Sequence, residues 1–273
     1  MIAMRAVVLA RGLGTRMRAA DPAAVLDPAQ ATMADAGMNA MVPVADTGRP
    51  FLDYILSGLA DAGFSEAILV LGPEHDVVRQ RYGPFGLGKP TRIRVMYAVQ
   101  TKPTGTADAV LAAEMLVAQS PFVVLDGNNY YPASVLGQLR RMEAPALPAF
   151  SARALVAGGV PADRIASYAT LDIAEDGSLR GIREKPPEDA AGIPRARLSM
   201  NLWLFDKTIF QACREVPQSR RGEHELPEAV QWAVSRHGVR YQTFPVSAPV
   251  LDLSQRADVA AVSAALAGVE VRV

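Results

Sequence analysis

The chain has 273 residues, and its 28 basic and 28 acidic side chains give a formal net charge of zero at pH 7. Half of the residues are hydrophobic and 21% are charged, the ordinary balance of a soluble globular protein. Because non-specific binding of nucleic acid depends on an excess of cations, this balance argues against a nucleic-acid partner. The single cysteine excludes an intramolecular disulfide and any multi-cysteine metal site.

No apolar run approaches the roughly 18 residues that a membrane helix needs. The N-terminal residues lead directly into a strand pattern and lack the features of a signal peptide. The sequence therefore predicts a cytoplasmic protein that has no membrane segment.

Strand and helix patterns alternate through the first half of the chain. Apolar runs typical of buried strands occur at residues 5–10, 67–71 and 122–125, and an alternating run occurs at 93–99. Helical patterns occur at residues 50–62, 76–82 and 106–118, with a shorter helix expected within 20–37. This order predicts a mainly parallel sheet flanked by helices, which would bind ligands at the carboxyl ends of its strands.

The second half of the chain has a different pattern. Two strand patterns, at residues 168–173 and 179–184, flank Glu175-Asp-Gly-Ser178, which is typical of a hairpin turn. Further strands are predicted at 200–205 and 239–246, and helices at 226–237 and 257–267. Because no linker separates the halves, the sequence predicts a single mixed α/β domain over residues 1–273, with late hairpins over the ligand edge of the sheet.

A glycine-rich segment, Gly12-Leu-Gly14-Thr-Arg16, follows the first predicted strand. Two glycines allow the backbone to approach a ligand closely and to direct N–H groups toward it, while Arg16 and Arg18 carry guanidinium groups suited to phosphate. The dinucleotide-binding fingerprint is not satisfied, because Met17 occupies its last glycine position. The segment indicates a phosphate site, and a plain loop with solvated arginines is the alternative.

Three further polar segments are candidates for a site. Asp126-Gly-Asn-Asn129 follows a buried strand, where side chains that face a ligand are expected. Arg183-Glu-Lys-Pro186 ends a strand, with a solvated charged turn as the alternative reading. Asp252 lies between apolar neighbours, where a charge is costly unless a partner such as a divalent metal compensates it.

In their order along the chain, these segments resemble the sugar-phosphate nucleotidyltransferases, the enzymes that make nucleoside-diphosphate sugars. The matching segments are Gly12–Arg16, Met41-Val-Pro43 with Arg49-Pro50, Gln100-Thr-Lys-Pro-Thr-Gly105, Gly127–Asn129, Glu184-Lys-Pro186, Arg221-Gly-Glu223 and Asp252. The resemblance covers nearly the whole chain. It implies a Rossmann-like nucleotidyltransferase fold, with a nucleotide half at about residues 1–132 and a sugar-phosphate half at about 133–273.

The resemblance implies transfer of a nucleotidyl group from a nucleoside triphosphate to a sugar 1-phosphate, with Mg²⁺ balancing charge as pyrophosphate leaves. The implied catalytic residues are Arg16 and Lys185. The implied nucleotide contacts are Leu9, Gly12, Gly14, Thr15, Arg16, Gln100, Gly105 and Thr106. The residues implied to bind the sugar phosphate are Glu184, Lys185 and Asn201, and those implied to bind the metal are Asp252 and Asn128. A homo-oligomer is compatible with the resemblance.

Two positions depart from the family pattern. Asn39 aligns with a lysine that binds phosphate, and Asn128 aligns with the first metal-binding aspartate. Losing one preorganised group that stabilises charge typically costs about 10²–10³ in rate. Asp126 is a candidate substitute ligand, since residues two apart in an extended chain share a direction, and Lys102 is a candidate cation.

Two functions are therefore open. The first is a working nucleotidyltransferase with a rearranged metal site. The second is a catalytically degenerate relative that binds nucleotide or nucleotide-sugar as a sensor or regulatory partner.

Overall fold

The computed structural model describes residues 4–143, 145–183 and 196–273. The strands are β1 (Arg5–Leu9), β2 (Pro43–Val44), β3 (Arg49–Pro50), β4 (Glu66–Leu71), β5 (Arg94–Val99), β6 (Phe122–Asp126), β7 (Asn129–Tyr130), β8 (Ala146–Ser151), β9 (Thr170–Ile173), β10 (Leu179–Arg183), β11 (Arg197–Leu198), β12 (Leu202–Phe205), β13 (Gln242–Val246) and β14 (Leu251–Asp252). The helices are α1 (Thr15–Arg18), α2 (Pro28–Asp35), α3 (Phe51–Asp61), α4 (Asp76–Tyr82), α5 (Thr106–Ala112), α6 (Glu114–Val117), α7 (Ala133–Arg140), α8 (Ala152–Ala157), α9 (Ala162–Ile165), α10 (Thr208–Glu215), α11 (Leu226–His237) and α12 (Asp258–Leu266), with a 3₁₀ turn at Asn39–Met41.

Among these residues, a ten-stranded sheet has the order β10-β9-β11-β8-β12-β6-β1-β4-β5, and β13 pairs with β8. The neighbours β6, β1, β4 and β5 are parallel, while β12 joins β6 in the antiparallel sense. Successive strand residues point to opposite faces, so Val7 and Val8 enter different apolar clusters, one on each side of the sheet. The predicted parallel core with helices on both faces is confirmed.

The predicted hairpin forms between β9 and β10, in antiparallel register across Glu175–Ser178. Its place differs from the expectation of a hairpin over the ligand edge. β9 pairs with β11, and β11 pairs with β8, so the hairpin extends the main sheet laterally. The antiparallel pairing of β14 with β7 lies at the ligand edge and sets Asp252 opposite Asn129.

Two predicted helices have different bounds in the structure. The pattern over residues 106–118 is divided at Ala113, whose N–H bonds Val110 three residues earlier, so that α5 and α6 are separate. The irregular stretch 20–37 contains α2, which begins at a capping box formed by Asp27 and Gln30. No helix in the described part of the chain is long and apolar enough to cross a membrane.

A buried carboxylate joins α3 to α4. Asp53 is fully buried and accepts hydrogen bonds from Arg81 at 3.2 and 2.6 Å and from the Tyr82 hydroxyl at 2.6 Å. Arg49 approaches the same carboxylate at 3.4 Å, but its side chain is 45% exposed whereas that of Arg81 is 24% exposed. The pair with Arg81 therefore compensates most of the buried charge.

We expect Arg81→Met to lower the free energy of unfolding by about 3 kcal/mol, because it removes one partner of a buried charge pair. Arg49→Met is the matched control on the same carboxylate, and its exposed pair should cost less than about 1 kcal/mol. Urea denaturation measures both changes. Equal effects of the two substitutions would contradict this division of roles.

Candidate functional site

A cavity of about 740 Å³ opens at the carboxyl ends of β5, β4, β1 and β6. The predicted site residues that line it are Leu9, Gly12, Gly14, Thr15, Arg16, Gln100, Gly105, Thr106, Asp126, Asn128, Asn201 and Asp252, together with Asn39. Glu184 and Lys185 lie outside the described residues. The topology thus brings together side chains that are more than 200 positions apart along the chain.

The glycine-rich loop after β1 forms one wall of the cavity. Gly14 has φ 60°, and a Cβ there would lie 2.4 Å from the carbonyl oxygen of Gly37, so only glycine fits this position. The backbone N–H groups of Gly12, Gly14 and Thr15 find no acceptor among the residues that the structure describes. They are therefore available to an anion.

The two arginines predicted to serve phosphate have different surroundings. Arg16 lines the cavity, and its Nη2 lies 3.3 Å from Ser254 Oγ, on the side of β14. Arg18 instead donates to the carbonyl oxygen of Ala36 at 2.7 Å and is not part of the cavity wall. The structure gives no support to Arg18 as a phosphate ligand, because its guanidinium binds the C-terminal end of α2.

The opposite wall is formed by Gln100, at the end of β5. Its Nε2 donates to the carbonyl oxygen of Gly105 at 3.0 Å and to Asp108 Oδ2 at 2.9 Å. Both amide hydrogens are engaged, which leaves Oε1 as an acceptor for a ligand. Gly105 has φ 123°, and a Cβ there would lie 2.3 Å from the carbonyl oxygen of His224. Thr106 Oγ1 accepts from the N–H of Leu226, so Thr106 fixes the start of α11 beside the cavity.

Asp252 is compensated inside the protein. Its Oδ1 accepts from Asn128 Nδ2 at 3.1 Å and from the Ser254 hydroxyl. Its Oδ2 accepts from the Tyr168 hydroxyl at 2.7 Å and faces Arg164 Nη1 at 3.6 Å. Burial, and then the charge of Asp252, raise the pKa of Tyr168 well above its ordinary value. Three hydrogen bonds and one ion pair therefore compensate the buried carboxylate.

The two asparagines at the departing positions bind the same segment around Asp252. Asn39 Nδ2 donates to the carbonyl oxygens of Leu253 at 2.9 Å and Ser254 at 3.4 Å. Asn128 Nδ2 donates to Ser254 Oγ at 3.0 Å as well as to Asp252. Neutral amides therefore hold the loop after β14, at the two positions where the resemblance leads us to expect a cation and an anion.

Asp126 ends β6 and is a cavity carboxylate with spare acceptor capacity. Its Oδ2 accepts from Asn201 Nδ2 at 2.8 Å, while Oδ1 has no partner among residues 4–143, 145–183 and 196–273. Burial raises the pKa of Asp126 to about 6; the hydrogen bond from Asn201 lowers it, and the charge of Asp252 raises it further. Within the described residues, no three His, Cys, Asp or Glu side chains are grouped as a metal site.

Several cavity residues were not identified from the sequence. Tyr168 and Ser254 line the cavity, and Arg164 stands behind Asp252 while also binding Asp258 at 2.7 and 3.1 Å. The one sequence signal was the spacing Asp252-Leu-Ser254, which places two polar side chains two residues apart. Arg164 belongs to α9, in a region for which no element was predicted.

The parallel core, the glycine-rich loop after β1 and the polar cavity at the strand ends define a Rossmann-like α/β protein. The family model described as nucleotidyl transferase matches residues 5–248, and the chain belongs to this family.

Relatives with descriptions support the same family. The chain is 30% identical over 232 residues to a glucose-1-phosphate thymidylyltransferase of Streptomyces griseus. The aligned region covers 85% of this chain and 57% of that protein. It is 28% identical to the UTP–glucose-1-phosphate uridylyltransferase AglF of Haloferax volcanii, over 83% of this chain and 82% of that protein. The solved UTP-bound UGPase from Acinetobacter baumannii has a TM-score of 0.73 at 20% identity, covering 99% and 96%, which shows the fold. The chain thus spans little more than half of the first relative.

We expect Arg16→Ala to weaken binding of a nucleoside triphosphate about tenfold or more, because it removes a charged donor from the cavity. Calorimetric titration measures the dissociation constant. Arg18→Ala is the matched control, since Arg18 belongs to the same segment but does not line the cavity. Unchanged affinity in Arg16→Ala would contradict the assignment of this loop to phosphate.

Proposed function

We propose that this protein transfers a nucleotidyl group from a pyrimidine nucleoside triphosphate to a sugar 1-phosphate, releasing pyrophosphate. The observation that carries the proposal is the meeting of the glycine-rich loop, Gln100 with Gly105, and the polar ends of β6 and β14 in one cavity. Membership of the nucleotidyl transferase family supports the reaction class. The names of the relatives support uridylyl or thymidylyl transfer and glucose 1-phosphate as the first substrates to test.

In this reaction a phosphate oxygen of the sugar 1-phosphate attacks the α-phosphorus, and the bond between the α-phosphorus and the oxygen of the β-phosphate breaks. The N–H groups of Gly12, Gly14 and Thr15 would bind the triphosphate oxygens. Arg16 would stabilise the negative charge that develops on the departing pyrophosphate. The attacking phosphate is already ionised near pH 7, so the step requires no general base.

The base would lie at the end of the cavity formed by Leu9, Gln100, Gly105 and Thr106. Gln100 Oε1 is an acceptor whose orientation is fixed by the two bonds of Nε2. An acceptor at this position matches the N3–H of uracil or thymine and has no donor to meet at N3 of cytosine. This complementarity supports a uridine or thymidine nucleotide.

The sugar phosphate would bind on the other side of the reacting phosphorus. Glu184 and Lys185 are proposed for this role from the family pattern alone, since both lie outside the described residues. Asn201 lines the cavity, but its amide nitrogen is engaged by Asp126, which leaves its oxygen to accept from a sugar hydroxyl.

Mg²⁺ belongs to the proposal as an ion that accompanies the triphosphate. At the site expected from the sequence, Asp252 with Asn128, the ion would have to displace hydrogen bonds, because Asp252 already accepts from Asn128, Ser254 and Tyr168. Asp126 fits better, since Mg²⁺ is commonly held by one or two carboxylates together with substrate phosphates and water. Asp126 Oδ1 and Asn128 Oδ1 would hold the ion, which would neutralise charge on the phosphates.

A second candidate function is nucleotide binding without turnover. The hydrogen bond between Asn128 and Asp252 favours it, because it joins two side chains that would otherwise face a metal ion. Pyrophosphate release from UTP, dTTP, CTP or ATP with a set of sugar 1-phosphates and Mg²⁺ tests the transferase. Calorimetric binding of the same nucleotides without any release would support the binding protein instead.

We expect the double substitution Asn39→Lys with Asn128→Asp to accelerate pyrophosphate release. The lysine would add a cation beside the departing phosphates, and the aspartate would add an anionic ligand, which Mg²⁺ prefers to a neutral amide. Each single substitution should gain less than the pair, because both act on one charged centre and are coupled. Steady-state rates of the four proteins measure the coupling.

Asn128→Asp alone should also tighten Mg²⁺ binding in a calorimetric titration without substrate. A double variant slower than a fast wild-type enzyme would contradict the prediction, and would indicate that Asp126 with the two asparagines already forms the working centre.

We expect Lys185→Ala to leave the affinity for the nucleoside triphosphate unchanged and to raise KM for the sugar 1-phosphate about tenfold or more, because it removes a charged donor to phosphate. The matched control is Lys207→Ala, at an exposed position before α10. If nucleotide affinity falls instead, the two substrates are assigned to the wrong ends of the cavity.

A further inference from the structure

Arg11 immediately precedes the glycine-rich loop, and its side chain crosses the end of β4. Its Nε lies 3.1 Å from Glu74 Oε1, and its Nη2 lies 3.4 Å from Glu74 Oε2. A Cβ at Gly72 would lie 2.4 Å from Arg11 Nε, so the absence of a side chain at Gly72 makes room for this path. The position of the guanidinium is therefore set by two segments that follow neighbouring strands.

The guanidinium has one group that the protein does not use. The Arg11 side chain is 8% exposed, and its Nη1 is buried without a hydrogen-bond partner among the described residues. Arginine carries five N–H donors and keeps its charge, so a buried Nη1 with no acceptor is unfavourable in the free protein. Its partner Glu74 is 54% exposed, and exposed ion pairs contribute little stability, so the pair with Glu74 does not account for the arrangement.

The place of Arg11 in the cavity indicates which part of a ligand it meets. Arg11 lines the same cavity as Gln100, and β4 stands between β1 and β5, the strand that Gln100 directly follows. Arg16 points the other way, toward Ser254 beside β14. The two arginines thus face opposite ends of the cavity, and Arg11 belongs to the end that holds the base in the proposed function.

The neighbouring histidine offers no acceptor to Arg11 Nη1. His75 Nδ1 accepts from the N–H of Gly72 at 3.1 Å, so the neutral ring carries its proton on Nε2, which lies 3.9 Å from Glu74 Oε1. The pKa of His75 is lowered, chiefly by burial, and then by the charges of Arg11 and other arginines against the opposing effect of Glu74. Nε2–H and Nη1–H are both donors, so the ligand must supply the acceptor.

We infer that Arg11 is a specificity-determining residue: when the base enters the cavity, the guanidinium turns so that the buried Nη1 donates to a keto oxygen of the pyrimidine, while Gln100 Oε1 accepts from the adjacent N3–H. A donor beside an acceptor matches the keto and N–H edge that uracil and thymine share. This inference rests on the proposed function, which names a nucleoside triphosphate as the ligand.

The test compares wild type with Arg11→Ala, Arg11→Lys and the control Arg92→Ala, which removes another arginine–carboxylate pair, with Asp61. Calorimetry in EDTA gives dissociation constants for UTP, 2-thio-UTP, 4-thio-UTP and inorganic tripolyphosphate. We expect Arg11→Ala to lower the affinity for UTP about tenfold or more and to leave the affinity for tripolyphosphate unchanged. Arg11→Lys should not restore affinity, because a lysine cannot contact Glu74 and the base together in the planar fork of arginine.

The thio analogues identify the atom that Arg11 contacts. Sulfur is a poor acceptor, so the analogue with sulfur at the contacted position should have a lower affinity than UTP for the wild-type protein. For Arg11→Ala, which lacks the donor, that analogue and UTP should have the same affinity. Any of three results would overturn the inference: Arg11→Ala weakens the binding of tripolyphosphate as much as that of UTP, it leaves the affinity for UTP unchanged, or its effect adds to the loss of affinity caused by sulfur for both analogues. If wild type binds tripolyphosphate but shows no preference for UTP, the proposed function falls too. If wild type prefers UTP and Arg11→Ala keeps that preference, only the role of Arg11 falls.

If Arg11→Ala does not fold, Arg11→Gln provides the same comparison, because it keeps one donor near Glu74 and removes Nη1. A thermal unfolding midpoint close to that of wild type confirms that either variant is folded.

Discussion

The cavity depends on keeping one buried carboxylate compensated. Asp252 receives hydrogen bonds from Asn128, Tyr168 and Ser254, and Arg164 adds its positive charge. These partners come from the ends of β6 and α9 and from the loop after β14. Because an uncompensated charge here would be very costly, the requirement joins distant segments of the chain at one point.

The same network explains why asparagine is accommodated at both departing positions. Asn128 can donate to Asp252 where an aspartate would repel it, and Asn39 can donate to the backbone of Leu253 and Ser254. Against the pattern that the sequence resembles, one cation and one anion would be exchanged for amides, so the formal charge of the wall would stay the same. In the structure the two amides bind the backbone and side chains around Asp252, and Asp126 keeps a carboxylate oxygen without a partner among the described residues.

Local patterns predicted those parts of the fold that local forces determine. The helix over residues 226–237 has the predicted bounds, because a proline begins it and Gly238, with φ 65°, ends it. β8 was not predicted, since Ala146, Pro148 and Ala149 have low strand propensity. It forms because β13, β12 and β11 pair with it, an interaction among segments more than 45 residues apart. The hairpin could be recognised from its turn, but its place at the edge of the sheet follows from the same long-range pairing.

The same distinction between local and long-range determinants applies to the candidate site. Residues at strand ends could be placed from sequence, because the carboxyl ends of parallel strands meet at one edge. The direction of each side chain could not, since it depends on partners brought in by tertiary structure. Arg16 and Arg18 are two residues apart, yet one lines the cavity and the other binds Ala36.

Arg11, with no family motif to mark it, lines the cavity and has a buried guanidinium nitrogen that lacks a partner among the described residues. Strand order then separates the two ends of the cavity. In the proposed function, the residues that follow β6 and β14 surround the phosphates, whereas the residues that follow β4 and β5 surround the base. In that arrangement, substitutions at Arg11 and Gln100 would change recognition of the base without disturbing the residues around Asp252.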